Sequence, residues 1–61
     1  MAKVGDIFVC FYVGGDFDIL VINDFVVHRN RIHAIMDDGK GIFPVPAKMF
    51  AESPIFKIGE L

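Results

Sequence analysis

The sequence predicts a small all-β domain of five antiparallel strands, with one short 3₁₀ turn before the last strand. Runs rich in Val, Ile and Phe alternate with Gly, Asn and Asp turns along the whole chain, which is typical of short strands joined by tight turns. Helix signals are weak throughout. The chain has 61 residues, enough for one domain and no more, so we expect a single domain spanning 1–61.

The first two strands follow from the first apolar runs. A strand over 6–13 is followed by Gly14-Gly15, and a two-residue hairpin turn suits this dipeptide because both glycines accept a positive φ. The second strand, 17–28, is long, and we expect it to bend near Asn23-Asp24.

Two further turns delimit the middle strands. Arg29-Asn30 predicts a tight turn, since Asn tolerates the left-handed conformation, and the third strand covers 31–37. Asp38-Gly39 is the strongest turn signal of the chain. The fourth strand, 41–45, contains a proline and is therefore expected at a sheet edge.

The last two elements complete the pattern. The segment 46–50 reads as one helical or 3₁₀ turn started by proline, and 55–58 forms the last strand. This order resembles the SH3-like small barrel, in which a 3₁₀ turn separates the last two strands. The stretch 38–46 is also similar to an SH3 distal hairpin that runs into a Gly-hydrophobe-hydrophobe-Pro segment.

The chain departs from SH3 domains where those domains bind their ligands. It contains no Trp and no acidic loop followed by paired aromatics, and recognition of Pro-rich ligands needs an aromatic-lined groove. The chain resembles more closely the short SH3-like proteins that phages encode, through Val4-Gly5-Asp6, Asp37-Asp38-Gly39 and Met49-Phe50. That resemblance implies binding to a host protein and inhibition or modulation of it.

Composition narrows the class of protein. A domain of this size buries only about 60% of the surface of its unfolded chain, and 54% apolar residues with seven Phe supply a rich core. Cys10 is the single cysteine, which fits a reducing compartment, and we interpret it as a small buried hydrophobe. The net charge of −2 argues against a general nucleic-acid binder.

The N-terminal segment predicts no export or membrane insertion. It has an acidic residue, Asp6, close to the N-terminus and lacks the long leucine-rich stretch of a signal peptide. The apolar run 7–13 is too short to span a bilayer. We therefore expect a cytoplasmic protein, in the host cytoplasm if it is phage-encoded, with no membrane partner.

The two middle turns sort the side chains onto two faces, because strand side chains alternate. With Asp38-Gly39 as the turn, Phe43 lies opposite Ala34. The expected core face contains Phe25, Val27, Ile32, Ala34, Met36, Phe43 and Val45. In the first hairpin both faces are apolar, so either bent strands bury both, or a partner or second copy covers one.

The opposite face of the middle strands is the predicted binding surface. It places aliphatic side chains and arginines at positions where solvent-exposed strands favour Thr, Lys or Glu, and such a mixture is typical of protein interfaces. The predicted partner-binding residues are Val26, His28, Arg29, Arg31, His33, Ile35 and Ile42. The expected partner is a protein, and a homodimer through the first hairpin is a second expectation.

Three alternatives concern chemistry at these residues. The Arg29/Arg31 loop suits phosphate as well as carboxylate, so the alternative function is a small nucleic-acid-binding barrel. A further alternative is that these charges at the hairpin tip only keep the domain soluble. His28 and His33 lie about 7 Å apart across the hairpin, but zinc sites need three or four ligands, so we expect no metal and no cofactor.

Acidic pairs near turns do not change this interpretation. The chain has two such pairs, Asp16 with Asp18 and Asp37 with Asp38. Paired carboxylates serve acid–base catalysis in clefts, but Asp is also a favoured turn residue. We therefore expect no catalytic residues and a non-enzymatic binding module.

Overall fold

The computed structural model describes residues 2–51 and 55–61, which form one antiparallel sheet of five strands. The elements are β1 (Asp6–Phe11), β2 (Phe17–His28), β3 (Arg31–Asp37), β4 (Ile42–Pro46), a 3₁₀ turn (Ala47–Ala51) and β5 (Ile55–Glu60). The order across the sheet is β4-β3-β2-β1-β5. The all-β class, the five antiparallel strands and the 3₁₀ turn before the last strand are therefore confirmed.

The sheet is open along the described ranges. β4 and β5 form its two edges and do not pair with each other there, so the closure expected of a barrel is not observed. Pro44 lies in the edge strand β4, as predicted, where its missing N–H interrupts no central ladder.

The long strand β2 joins the two halves of the sheet. Its first half pairs with β1 and its second half with β3, and Val21 pairs with both strands. The register against β3 shifts between Ile22 and Asp24, which leaves Asn23 as the extra residue of a β-bulge. A bulge bends its strand and increases the local twist, so the predicted bend near Asn23-Asp24 is confirmed.

The core lies on one face of this bent sheet. Phe50 of the 3₁₀ turn stacks on Phe8 with ring centroids 4.8 Å apart, so the turn closes one side of the core. Cys10 is half-buried against the same core, close to the buried position that we expected. The buried members of the core are Phe8, Leu20, Ile22, Ala34, Met36, Val45 and Ile55.

The predicted core face is correct in part. Ala34, Met36 and Val45 are buried, and Phe25 and Phe43 are half-buried against the core. The expectation that the two remaining residues of this face are buried is wrong.

Val27 and Ile32 are register partners on the core side of the sheet, yet they are 73% and 57% exposed. They stand next to the β2–β3 turn, where the hairpin extends beyond the core. Their orientation is as predicted, but the core formed by the described residues does not reach their end of the hairpin.

The pairing of β3 with β4 differs from the prediction by two residues. Phe43 lies opposite Met36 rather than Ala34, because the turn is centred one residue later and the Asp38 N–H donates to the Gly41 carbonyl (3.2 Å). The Asp38 carboxylate accepts two loop N–H groups at 2.8 and 3.0 Å and holds this turn. A shift of two residues preserves alternation, so the faces are unchanged.

The first hairpin also turns differently. The Tyr12 N–H donates to the Asp16 carbonyl at 2.9 Å, so three residues, 13–15, form the connection instead of Gly14-Gly15 alone. Both glycines have positive φ, 101° and 95°, as the sequence predicts.

Candidate functional site

The β2–β3 turn imposes an unusual backbone conformation on Arg29. His28 pairs with Arg31, so Arg29 and Asn30 form a two-residue turn, with φ of 52° and 63°. A turn with both φ values positive favours Asn-Gly, and the Cβ of an arginine is unfavourable there. The conformation costs on the order of 1 kcal/mol, and such local strain is concentrated at functional sites.

Four basic or imidazole side chains meet beside this turn. His28, Arg29, Arg31 and His33 line an open depression of about 430 Å³, called the basic hollow below. The two imidazole rings lie edge to face with centroids 6.0 Å apart. The His33 Nδ1 lies 3.1 Å from the Arg31 carbonyl oxygen, and this contact orients the ring.

The charge of the basic hollow is not neutralised by the part of the chain that the structure describes. Within 2–51 and 55–61, Arg29 and Arg31 form no ion pair, whereas Lys3 and Lys57 are both paired with acids. Among the described residues, no carboxylate lines the hollow. Planar guanidinium groups bind carboxylate and phosphate through paired hydrogen bonds, so the hollow has the chemistry of an anion site.

The aliphatic residues predicted for the site lie at different distances from the hollow. Val26 pairs with His33, on the same face, and is 39% exposed. Ile35 lies two residues further along β3 on this face and is half-buried. Ile42 pairs with Asp37 at the far end of β3, so it shares the face but is not part of the hollow.

A second depression lies where the hairpin meets the end of β4. It measures about 550 Å³ and adds a further cation, Lys48, to the same region. Its lining residues are Asn30, Arg31, Ile32, Pro46, Ala47 and Lys48. The sequence analysis missed Lys48 and Ile32, because only the folded chain brings the 3₁₀ turn beside the hairpin.

A separate apolar surface lies on the outer face of the sheet at the other end of β2. Phe11 lies 6.2 Å, centroid to centroid, from both Phe17 and Phe56. Ile19 and Phe56 are the two register partners of Val9, one on each side. These five residues are called the aromatic patch below. Val9 is only 8% exposed, while the others are 41–58% exposed.

The sequence predicted the part of this patch that belongs to the first hairpin. It indicated that both faces of the first hairpin are apolar, but it did not assign Phe56 to the surface. Phe56 comes beside Val9 only because β5 pairs with β1.

The acidic pair Asp37-Asp38 stabilises the turn beside it, whereas the Asp18 carboxylate accepts a hydrogen bond from the Tyr12 hydroxyl (2.8 Å). The backbone N–H groups of Lys40 and Gly41 donate to Asp38 and, together with the Lys40 charge, lower its pKa despite partial burial. Asp37 accepts the Gly39 N–H at 2.8 Å. Among the residues with described positions, no three His, Cys, Asp or Glu are grouped closely enough to hold a metal ion.

The described residues include no helix with the length and apolar character needed to cross a bilayer. Comparison of the chain with protein-family models, with curated proteins and with solved structures gives no match.

Proposed function

We propose that this domain is a non-enzymatic module that binds another protein through the tip and outer face of the β2–β3 hairpin. The observation that carries the proposal is the position of Arg29. It occupies a left-handed turn position that disfavours arginine, and there it adds its charge to the basic hollow. A residue that breaks a local rule is expected where function requires it.

The chemistry of the surface favours an acidic protein partner. The arginines are suited to carboxylates on the partner, while Val26 beside His33 offers apolar contact. Arginine with exposed aliphatic side chains is common in protein interfaces. Charges at the rim of such an interface mainly accelerate association.

Nucleic acid is the second candidate because the basic hollow also suits phosphate. Single-stranded nucleic acid is generally bound by cations interleaved with stacking aromatics. Here the exposed phenylalanines belong to the aromatic patch. Phe17 and His28 stand at opposite ends of the twelve residues of β2, a bent strand in a molecule whose longest extent is 34 Å. The separation favours the protein partner.

The arrangement of the strands supports an SH3-like description. The order β4-β3-β2-β1-β5, with a 3₁₀ turn before β5, is similar to the order in SH3-like barrels. Together with the resemblance to small phage-encoded proteins, it suggests an inhibitor or modulator of a bacterial host protein.

A matched pair of charge reversals tests the proposal. Immobilised wild-type domain, Arg31→Glu and Lys40→Glu are compared for the proteins that each retains from a bacterial lysate, quantified by mass spectrometry. Both variants change the charge equally, but Lys40 is exposed in the β3–β4 loop, outside the hollow. The expected result is a protein retained by the wild type and by Lys40→Glu and lost with Arg31→Glu.

A second pair tests the face of the hairpin. Val26 and Val27 are neighbours with the same side chain on opposite faces of β2, and both are exposed. Val26→Asp should abolish retention and Val27→Asp should not. Equal effects of the two changes would refute the proposed face. Salt-sensitive oligonucleotide binding that Arg31→Glu removes would assign the hollow to nucleic acid instead.

A further inference from the structure

We infer that a second copy of this chain covers the aromatic patch in a twofold-symmetric dimer. The inference is independent of the proposed function, because the patch and the basic hollow lie at opposite ends of β2. Val9 is buried apart from the main core: its side chain is 8% exposed, yet it does not belong to the main core cluster. Phe11, Phe17, Ile19 and Phe56 surround it and are themselves only half covered.

The patch carries no charge. The register places eight residues of β1, β5 and the first half of β2 on this outer face, and all are uncharged: Ile7, Val9, Phe11, Phe17, Ile19, Val21, Phe56 and Gly59. A highly charged partner therefore finds no complement here. The lysines of the adjoining strand ends, Lys3 and Lys57, are paired with Glu60 and Asp6, so they offer little attraction to anionic lipid.

An uncharged surface is well suited to contact a copy of itself. In a twofold interface each residue near the axis meets its own counterpart, so a charge there would face a like charge. The aromatic patch avoids this repulsion.

The size of the patch matches the apolar centre of a dimer interface. A phenylalanine side chain buries 150–250 Å² when covered, and the three here are 48–58% exposed. With Ile19, the exposed apolar area is on the order of 400 Å². A standard interface buries about 800 Å² per partner, of which a little more than half is apolar.

The surface beside the patch contains an open depression. This depression of about 520 Å³ begins at Ile19 and continues over Val21 to Leu61, and its opposite border is formed by Asn23, Asp37, Asp38 and Gly39. The half-exposed phenylalanines thus adjoin this depression on the outer face of the sheet. A twofold axis near Ile19 sets the phenylalanines of each copy against the apolar end of the other copy's depression, which Ile19, Val21 and Leu61 line. Such a self-complementary contact closes at two copies.

Sedimentation equilibrium of the full chain at tens of micromolar tests the inference. The expected mass is twice that of the 6.8 kDa chain. Phe17→Asp places a charge in the patch and should raise the dissociation constant at least about a hundredfold, with an unchanged β-sheet circular dichroism spectrum. Phe56→Asp, in a different strand, should do the same, and Val27→Asp at the hairpin tip should leave the dimer intact.

Dilution of the wild type, followed by NMR, locates the contact without a mutation. Amide shifts that depend on concentration should be confined to β1, β5 and the first half of β2. A wild type that is monomeric at tens of micromolar, a ladder of larger species, or dilution shifts centred on the hairpin tip would each overturn the inference.

Discussion

The carboxylate of Asp6 is fully buried and lies 3.4 Å, Oδ1 to Nζ, from the ammonium group of Lys57, which is 44% exposed. Its other oxygen accepts the Lys3 N–H at 2.9 Å. Oδ1 has no hydrogen-bond partner in the described chain, and its distance from Nζ exceeds that of a typical charge-assisted hydrogen bond. The Lys57 charge is nevertheless close enough to stabilise the carboxylate.

The pKa of Asp6 reflects opposing effects. Burial raises it, but the Lys3 N–H and the Lys57 ammonium together outweigh burial, so the pKa lies below the ordinary value of 3.8. The Lys3 ammonium similarly lowers the pKa of Glu60 below 4.5, through a hydrogen bond and its charge. The surroundings at this end of β1 and β5 therefore stabilise the ionised forms of Asp6 and Glu60.

Acid should weaken the fold through Asp6. Because its pKa is lower in the folded chain than in the unfolded chain, its contribution is complete above the ordinary value and is lost as the pH falls through the folded value. Urea unfolding midpoints should decline below about pH 4. In Asp6→Asn the midpoint should start lower at neutral pH and decline less, so an equal decline in both proteins would show that Asp6 is not responsible.

Removing the partner of the buried carboxylate should be costly. Lys57→Met leaves Asp6 charged and without an ion-pair partner in the interior, which strongly destabilises proteins. Lys3→Met is the control, since it removes the exposed pair with Glu60 and the weaker attraction of the Lys3 charge for Asp6 but keeps the backbone N–H. The urea midpoint at neutral pH should fall clearly for Lys57→Met and little for Lys3→Met. Similar midpoints would mean that Lys57 does not stabilise Asp6.

Phe8 should be decisive for stability. Its side chain is 4% exposed and stacks on Phe50, so Phe8→Ala should cost about 3–5 kcal/mol. That is comparable with the total stability of so small a domain, roughly 3–5 kcal/mol, and the variant should be largely unfolded by circular dichroism. Phe43→Ala should cost less, because Phe43 is half-buried on an edge strand. The reverse order would show that the core is centred elsewhere.

The β2–β3 turn should show a trade-off between stability and binding. Arg29→Asn keeps the left-handed backbone but suits it better, and should raise the free energy of unfolding by up to about 1 kcal/mol. The same change should weaken binding to the protein retained by the wild type. Asn30→Val should lower stability by about 1–2 kcal/mol, because a β-branched residue is disfavoured at φ 63°. A neutral Asn30→Val would argue against this turn.

Tyr12 offers a spectroscopic test of the first hairpin. Its hydroxyl donates to Asp18 Oδ2 at 2.8 Å, and this bond, with a smaller contribution from Cys10, raises the pKa of Tyr12 to about 12 from 10.0. Asp18→Asn should lower it towards the ordinary value. The chain has one Tyr and no Trp, so ultraviolet titration reports this residue alone. An unchanged titration would place the Tyr12 hydroxyl away from Asp18.

The local pattern was sufficient for the elements and for part of the site. Side-chain alternation and turn preferences depend on only a few neighbouring residues. They were therefore enough to predict β2, β3 and the Arg29-Asn30 turn from the sequence. The two-residue turn also placed His28 and His33 across one hairpin, with ring centroids 6.0 Å apart. Those properties depend only on strand geometry.

Loop closure required more than the pattern. Asp38-Gly39 and Gly14-Gly15 marked the turns correctly, but the hydrogen bonds that close them extend to Gly41 and Asp16. The choice among turns of two, three or four residues depends on the whole ladder of the flanking strands. The position of Phe43 opposite Met36 was therefore beyond a reading of neighbouring residues.

The sequence by itself determined the all-β class, the strand order along the chain and the alternation of faces, because these follow from contacts between neighbours. Only the tertiary structure decided which faces are covered. Val27 and Ile32 point to the core side but extend past the core, while Asp6 is buried beside Lys57. Phe56 and Lys48 join their surfaces only when β5 and the 3₁₀ turn pack against distant strands. Burial depends on contacts between residues far apart in the chain, and the local sequence pattern does not show which distant residues come into contact.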